Sequence, residues 1–297
     1  MIRVGIVGCD SSHCVEFTKR LNHIAIGEDQ WVDGAQVVAA WAGSSEITPQ
    51  QTIGQYVATL KGFGVEIVER PEALIGHIDA VMVETQGGGS HRALAVPFLE
   101  AGLPCFVDKP FACSVEDARA MADWAQKAGA ALFSSSSLRY ALEIQSTLAD
   151  GTVGPIVGAH AYSPAALHPA NPGLFHYGIH AVEPLYALMG PGCEAVWCVF
   201  SEGGEVTSGL WNGGRIGTVR GTRQGAHAYG FIAWGEKGVR ASAIDAGVIY
   251  RELLKRVVAM FETRQAPIDL GETVEIVSFI MAARRSAEGG GARVALA

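Results

Sequence analysis

Residues 78–110 read IDAVMVETQGGGSHRALAVPFLEAGLPCFVDKP, and this stretch decides the fold class. Two short apolar runs, at 80–83 and 105–107, flank a glycine-rich loop and a stretch of helical periodicity. Strand, helix and strand in this order predict two parallel strands joined by a right-handed crossover. Ligands of such α/β proteins bind beyond the carboxyl ends of the strands. Lys109, in the Asp-Lys-Pro sequence that follows the second run, is therefore our first candidate for a functional side chain.

The same alternation of apolar runs and helical stretches extends over the whole first half of the chain. Strands are predicted at 2–7, 36–41, 65–68, 80–83, 105–107 and 130–133, with helices at 12–22, 50–61, 71–76, 90–101 and 114–128. This pattern is typical of a doubly wound α/β domain.

The second half has a different pattern. Between 194 and 244, strands are separated by turn sequences, which predicts an open, mostly antiparallel sheet with one face buried. Two helices are predicted at 248–264 and 271–288. A run of four serines near 133–137 separates the halves, so we expect a dinucleotide-binding domain over 1–134 and a substrate-binding domain over 135–297.

Composition excludes several classes of protein. A formal charge of -8 argues against nucleic acid or anionic membrane as a partner. Six cysteines without a CxxC pair indicate reduced thiols. The chain has no stretch resembling a leader and no apolar run long enough to span a bilayer, so we expect a cytoplasmic protein.

The first strand ends in an altered dinucleotide-binding turn, Gly8-Cys9-Asp10-Ser11-Ser12-His13. Only the first glycine of GxGxxG is present, because Asp10 and His13 occupy the other two positions. The Asp10 carboxylate would lie where a pyrophosphate must approach, unless it turns away to cap the helix. The second strand ends without an acidic residue, and Ser44 and Ser45 could contact NAD or NADP, so the sequence does not choose between them.

His176, His180 and Glu183 would share one face of a continuous helix, which is a metal-ligand spacing. Pro184, however, is best placed in the first turn of a helix, which predicts a helix start near Ala181. Both histidines would then lie in the approaching loop, and we predict no metal site.

Taken together, these segments resemble the glucose–fructose oxidoreductase / inositol dehydrogenase / MocA (Gfo/Idh/MocA) family of NAD(P)-dependent oxidoreductases. Asp108-Lys109-Pro110 stands where the family has Glu-Lys-Pro, and residues 178–190 match the segment that carries its catalytic histidine, here His180. His91 and Arg139 stand where the family often has the same residue types.

The resemblance implies a Rossmann domain that holds NAD or NADP, and a second domain whose open sheet forms a homodimer or homotetramer. It implies a sugar, cyclitol or related polyol as substrate. The implied cofactor-binding residues are Gly8, Cys9, Asp10, Ser11, Ser12, His13, Ser44, Thr85, His91, Asp108 and Lys109. The implied substrate-binding residues are Lys109, Arg139, His176, Tyr177 and His180, of which Lys109, His176 and His180 are the catalytic candidates.

The chemistry of hydride transfer agrees with two of these residues. Removing a hydroxyl proton suits a neutral imidazole, and an ammonium group stabilises a developing alkoxide, which are the roles expected of His180 and Lys109. Many relatives carry an aspartate four residues before the histidine, where this chain has His176. Glu183 or Tyr177 could orient the imidazole instead.

Three functions stay open on sequence grounds. The first is a dehydrogenase or reductase acting on a polyol. The second is a glycoside-cleaving enzyme that oxidises its substrate transiently and returns the hydride. The third is a sugar-binding or scaffold protein that has lost its cofactor, as the altered turn would allow.

Overall fold

A computed structural model describes residues 1–296, and these form two compact units. Unit 1 comprises Met1–Ala112, Glu116–Ser135 and Tyr250–Leu270. Unit 2 comprises Cys113–Val115, Ser136–Ile249 and the residues from Gly271 onward. The principal difference from the expected domains, 1–134 and 135–297, is that a helix from the last quarter of the chain returns to unit 1.

The described residues contain thirteen strands and eight α-helices. The strands are β1 (Ile2–Val7), β2 (Ala35–Trp41), β3 (Glu66–Val68), β4 (Ala80–Val83), β5 (Cys105–Val107), β6 (Leu132–Ser134), β7 (Ile156–Pro164), β8 (Cys193–Ser201), β9 (Gly204–Trp211), β10 (Ile216–Thr222), β11 (Gly230–Gly235), β12 (Val239–Ala243) and β13 (Val294–Ala295). The helices are α1 (His13–Leu21), α2 (Gln50–Gly62), α3 (His91–Glu100), α4 (Val115–Ala128), α5 (Leu142–Ala149), α6 (Ile179–Met189), α7 (Ile249–Thr263) and α8 (Leu270–Glu288).

Unit 1 is built on a six-stranded parallel sheet of order β3-β2-β1-β4-β5-β6. This is the Rossmann order, in which the direction of winding reverses between β1 and β4. The four residues of β4 and the three of β5 are all fully buried, as expected for central parallel strands covered on both faces. The predicted doubly wound fold is confirmed.

Unit 2 is built on a seven-stranded sheet of order β12-β11-β7-β10-β9-β8-β13. Five of its six strand pairs are antiparallel, and only β7 and β10 run parallel. A parallel pair needs a crossover connection, and the chain between these strands contains α6. The prediction of a second domain with a mostly antiparallel sheet is confirmed.

The start of α6 differs from the prediction. The helix begins at Ile179, two residues before the expected start near Ala181, and so His180 lies in its first turn. The amide of Ala181 already donates to the carbonyl of Gly178 at 2.9 Å. Pro184 lies inside the helix, where it has no N–H to donate to the His180 carbonyl.

Helix α7 packs against the first part of unit 1. The side chain of Arg251 donates to the backbone carbonyl of Asp29 at 2.7 Å. Gly34 lies so close to α7 that a Cβ atom there would come within 2.8 Å of the Val258 side chain. The Rossmann unit is therefore completed by a segment more than a hundred residues beyond its last strand.

Within residues 1–296, none of the helices combines the length and apolar character that a membrane crossing requires.

Candidate active site

The turn after β1 requires a glycine at its first position. Gly8 has a φ of +96°, which side chains rarely adopt, and a Cβ atom there would overlap Thr85 and lie 2.9 Å from its amide nitrogen. The amides of Gly8 and Cys9 donate to the carbonyls of Trp41 and Ala42 at 2.9 and 2.8 Å. The first glycine of the altered fingerprint therefore retains its structural role.

Asp10 does not cap helix α1, which begins after Ser12 without a side-chain cap. Its carboxylate is buried and accepts a hydrogen bond from the Gln86 amide at 3.1 Å, across to the loop after β4. Its backbone carbonyl accepts from the Thr48 hydroxyl at 2.6 Å and from the Gln86 side chain. Burial raises the pKa of Asp10, against the hydrogen bonds from Ser45 and Gln86. The carboxylate is thus part of the turn's internal framework.

His13, at the third glycine position, connects the turn to the segment of Lys109. Its Nδ1 lies 2.6 Å from Asp108 Oδ2, its Nε2 lies 3.2 Å from the Tyr250 hydroxyl, and its ring stacks on Phe17. Burial alone would raise the pKa of Asp108, but the charge and hydrogen bond of His13, together with Lys109, outweigh it and lower this pKa. The imidazole is therefore held by its buried contact with Asp108 and by stacking on Phe17.

The other predicted residues of this turn differ in exposure. The Cys9 thiol is buried and faces the Trp41 carbonyl at 3.6 Å, while the Ser11 hydroxyl accepts from the His13 amide at 3.2 Å. Ser12, at the start of α1, and Ser44, after β2, are exposed. Ser12 and Ser44 are thus the exposed serines among the predicted cofactor-binding residues.

Thr85 packs against Gly8, and His91 contacts Thr85. His91 is fully buried, its Nε2 lies 2.6 Å from the Thr85 carbonyl oxygen, and its Nδ1 lies 3.2 Å from the Phe111 carbonyl oxygen. Burial lowers the pKa of His91, against the raising effect of these carbonyls. His91 therefore joins the loop after β4 to the segment after Lys109, because each of its two ring nitrogens faces a backbone carbonyl.

Glu84 is a buried acid that the sequence analysis did not identify. It follows β4, its side chain has no solvent exposure, and neither carboxyl oxygen has a hydrogen-bond partner among residues 1–296. Burial raises the pKa of Glu84 well above its usual value, and the nearby Asp108 carboxylate adds to this effect. A glutamate directly after an apolar strand, at the sheet edge where ligands bind, was the available signal.

Lys109 lies directly after β5, as predicted. Its amide donates to Asp108 Oδ1 at 2.8 Å, and the Asp108 amide donates to the Val83 carbonyl at 2.8 Å. The side chain of Lys109 is half-buried. Asp108 thus holds both the Lys109 backbone and His13, which places the lysine at the same sheet edge as the Gly8 turn.

In unit 2, His180 is held by a residue that the sequence analysis did not consider. Its Nδ1 lies 2.7 Å from the Ser136 hydroxyl oxygen, and both residues are buried. The ring of Tyr177 meets His180 edge-on at 4.8 Å, and the Tyr177 and Tyr229 hydroxyls lie 3.0 Å apart. The serine run, interpreted as a domain boundary, was the signal for this contact.

Arg139 is buried in an ion-pair network. Its guanidinium lies 3.1 Å from Glu183 and also bonds Glu272, and its side chain is only 7% exposed. Burial raises the pKa of Glu183, and the charge of Arg139 opposes this. Arg139 and Glu183 therefore belong to an ion-pair network that holds α6. The orienting contact to the His180 ring that was considered for Glu183 is made by Ser136.

His176 lies just before α6, and its ring is 5.3 Å from that of His168. The next residue, Tyr177, lines a surface groove of about 290 Å³ at the ends of β7 and β10. Its walls include Tyr177, Thr222 and His227. Hydroxyl and imidazole groups of this kind can hydrogen-bond a polyhydroxylated ligand.

The Rossmann order of the unit 1 sheet agrees with a comparison against protein families. Residues 2–136 match the Gfo/Idh/MocA model, described as an oxidoreductase family with an NAD-binding Rossmann fold. This segment of the chain is therefore similar to the Gfo/Idh/MocA family. The resemblance predicted from the sequence is thereby confirmed.

Two curated proteins show how far the sequence similarity extends. D-Apiose dehydrogenase of Paraburkholderia graminis is 32% identical over 139 residues, which are 45% of this chain and 34% of that protein. 1,5-Anhydro-D-fructose reductase of Ensifer adhaerens is 30% identical over 145 residues, which are 47% of this chain and 43% of that protein. The match thus spans less than half the length of either relative.

The fold of the whole chain is similar to that of solved structures. The crystal structure of scyllo-inositol dehydrogenase from Lactobacillus casei, with bound NAD(H) and scyllo-inositol, superposes with a TM-score of 0.79. The match covers 100% of this chain and 99% of that chain at 17% identity. At this identity the likeness establishes the fold, including that of unit 2.

Proposed function

We propose that this chain is an NAD(P)-dependent oxidoreductase. It would transfer a hydride between the nicotinamide and a secondary alcohol or ketone of a sugar, cyclitol or related polyol. The observation that carries the proposal is Lys109, which lies at the carboxyl edge of a Rossmann sheet beside a Gly8 turn with a φ of +96°.

The residues of unit 1 fit a dinucleotide. Gly8 leaves no Cβ in the turn, Ser12 is exposed at the start of α1, and helix N-termini favour anionic groups such as a pyrophosphate. The carboxylate of Asp10, which might have repelled an anion, is committed to the Gln86 amide. The bound dinucleotide supplies the carbon that accepts or returns the hydride.

Two side chains carry the rest of the chemistry in this proposal. His180 accepts the hydroxyl proton of the substrate alcohol, or returns it in the reverse direction. The Lys109 ammonium stabilises negative charge that develops on an oxygen of the reacting substrate. His176 and Tyr177 contact the sugar hydroxyls, and the groove beside Tyr177 accommodates the rest of the substrate.

The first test is a titration with NADH and with NADPH, followed by nicotinamide fluorescence and tryptophan quenching. Binding at micromolar concentrations, followed by a polyol screen that changes the absorbance at 340 nm, is the expected result. Turnover of a glycoside without net absorbance change would instead favour transient oxidation. A folded, cofactor-free preparation that binds neither dinucleotide would overturn the proposal in favour of a sugar-binding protein.

Lys109→Ala tests the assigned role of the lysine. Loss of the ammonium should lower kcat by about 100-fold or more, since one donor to a developing oxyanion is typically worth that much. Lys61→Ala, which removes an exposed lysine at the end of α2, is the matched control. Full activity in Lys109→Ala would remove the lysine from the mechanism.

We further propose that the open face of the unit 2 sheet joins copies of this chain into a homodimer or homotetramer. Large apolar side chains are exposed along it, and such patches mark interaction surfaces. These are Trp197, Val199, Ile216 and Trp234, with exposures of 37%, 75%, 57% and 40%. Light scattering should show an oligomer that Val199→Glu dissociates and Leu148→Glu, on α5, does not. A monomeric wild-type protein would contradict this assembly.

A cytoplasmic location is also part of the proposal. All six cysteines are free thiols, five of them buried, as is typical of proteins from reducing compartments. Fractionation of cells that express the native gene would test it.

A further inference from the structure

A short turn before α5 contacts α6 at two points one helical turn apart. The Ser136 side chain meets His180 at 2.7 Å, and three residues later Arg139 meets Glu183 at 3.1 Å. Because Glu183 lies three residues beyond His180, the two contacts match the periodicity of the helix. The turn is therefore in register with the helix face that carries the histidine.

We propose that Ser136 is the positioning residue of His180, the part that an aspartate plays in many relatives. This inference rests on the proposed function of His180 as the group that exchanges the substrate proton. His176 stands at the aspartate's position, and its ring lies 5.3 Å from that of His168. Ser136 approaches the imidazole from a different element, and it is completely buried.

The contact would determine which ring nitrogen reacts. The Ser136 oxygen has two lone pairs, and one of them accepts from the Leu138 amide at 3.3 Å. In the proposal, the other lone pair accepts from Nδ1–H of His180, which lies 2.7 Å away. With the hydrogen of the neutral ring on Nδ1, Nε2 is unprotonated and can take the hydroxyl proton. In the reverse direction the imidazolium returns the proton from Nε2 and keeps its Nδ1–H···Oγ bond.

The rest of the network holds Ser136 in place. Glu183 accepts a hydrogen bond from the Ser136 backbone in addition to its ion pair with Arg139. The edge-on contact with Tyr177 then restricts the plane of the imidazole ring. Serine is a neutral acceptor, so it orients the ring without adding a negative charge beside it, unlike the carboxylate that it replaces.

Long-range ¹H–¹⁵N correlation spectra of ¹⁵N-histidine-labelled protein test this directly, with His180 assigned by the loss of its signals in His180→Gln. Above the pH at which the ring loses its proton, the wild-type protein should show a protonated Nδ1 and an unprotonated Nε2. Ser136→Ala should shift the population toward the Nε2-protonated form, while Ser136→Thr should retain the wild-type pattern. Ser137→Ala, which removes the next hydroxyl of the same turn, is the control.

A protonated Nε2 in the wild-type protein, or an unchanged tautomer in Ser136→Ala, would overturn the inference. The spectrum of the wild-type protein is enough to identify the tautomer. The inference can therefore be tested even if Ser136→Ala does not fold. The spectra also need no substrate, so failure of the proposed activity is a separate result. With a substrate in hand, Ser136→Ala should lower kcat by up to about 100-fold with little change in KM, and Ser136→Thr should restore it.

Discussion

Replacing Glu84 by glutamine should remove a pH-dependent loss of stability from unit 1. The carboxyl group has no solvent exposure and no partner in the described chain, and burial raises its pKa well above the usual value. In the folded protein the group is therefore protonated at pH values where the unfolded chain has already released its proton. Folding then takes up one proton, and rising pH opposes it.

The magnitude follows from this linkage. Below the ordinary glutamate pKa, Glu84 is protonated in both the folded and the unfolded chain, and its titration does not lower the free energy of unfolding. As the pH rises from there toward the raised pKa of the folded state, the free energy of unfolding falls. One linked proton corresponds to a slope of about 1.4 kcal/mol per pH unit. Glutamine has nearly the same shape and does not titrate, so Glu84→Gln should become more stable relative to wild type by about that amount per unit just above pH 5.

The measurement is urea unfolding of both proteins at pH 5, 6 and 7, followed by circular dichroism and fluorescence. Taking the difference between the two proteins cancels the titration of every other group. Glu66→Gln, an exposed glutamate on β3, should show no pH-dependent difference. If Glu84→Gln differs from wild type by a constant amount, within about 0.5 kcal/mol across this range, then the folded protein holds Glu84 ionised and the reasoning fails.

Three further perturbations test other contacts of the two units. His13→Ala should destabilise unit 1 by about 3 kcal/mol, because it leaves the buried Asp108 charge unpaired, and adding Asp108→Asn should recover part of the loss in urea unfolding. Asp10→Gly should weaken NADH binding roughly tenfold, by freeing the turn from the Gln86 loop; tighter binding in a fluorescence titration would contradict the structure. Arg139→Met should lower unit 2 stability by about 3 kcal/mol or more, because it leaves two buried carboxylates without their cation; an unchanged melting temperature would exclude that network.

The parts of unit 1 that follow from local sequence pattern could be predicted. Apolar runs bounded by turn residues located β1, β4 and β5 at their observed limits, because a buried parallel strand needs a continuous apolar sequence. The position of Lys109 at a strand end followed from the same pattern. The predicted start of α6 was two residues late, because the prediction placed Pro184 in the first turn, whereas it lies in the interior of the helix.

The contacts within the candidate site could not be predicted, because their partners are distant in sequence. The Asp10 carboxylate is oriented by Gln86, 76 residues away, and His13 by Asp108, 95 residues away. Ser136 reaches His180 across 44 residues. Single-sequence patterns report periodicity over a few turns of chain, and they contain no information about which distant side chains meet.

Helix α7 gives the biosynthesis of this protein a fixed order. The ribosome releases residues 136–249 before it releases Tyr250, whose hydroxyl reaches His13, and Arg251, which bonds the Asp29 carbonyl. The nascent Rossmann unit therefore lacks its contacts with α7 until the ribosome has translated residues 136–249. For the same reason, a gene fragment that stops at codon 135 lacks α7, which is part of unit 1. Expression of that unit by itself calls for a splice that joins residue 135 to residue 250 through a short linker.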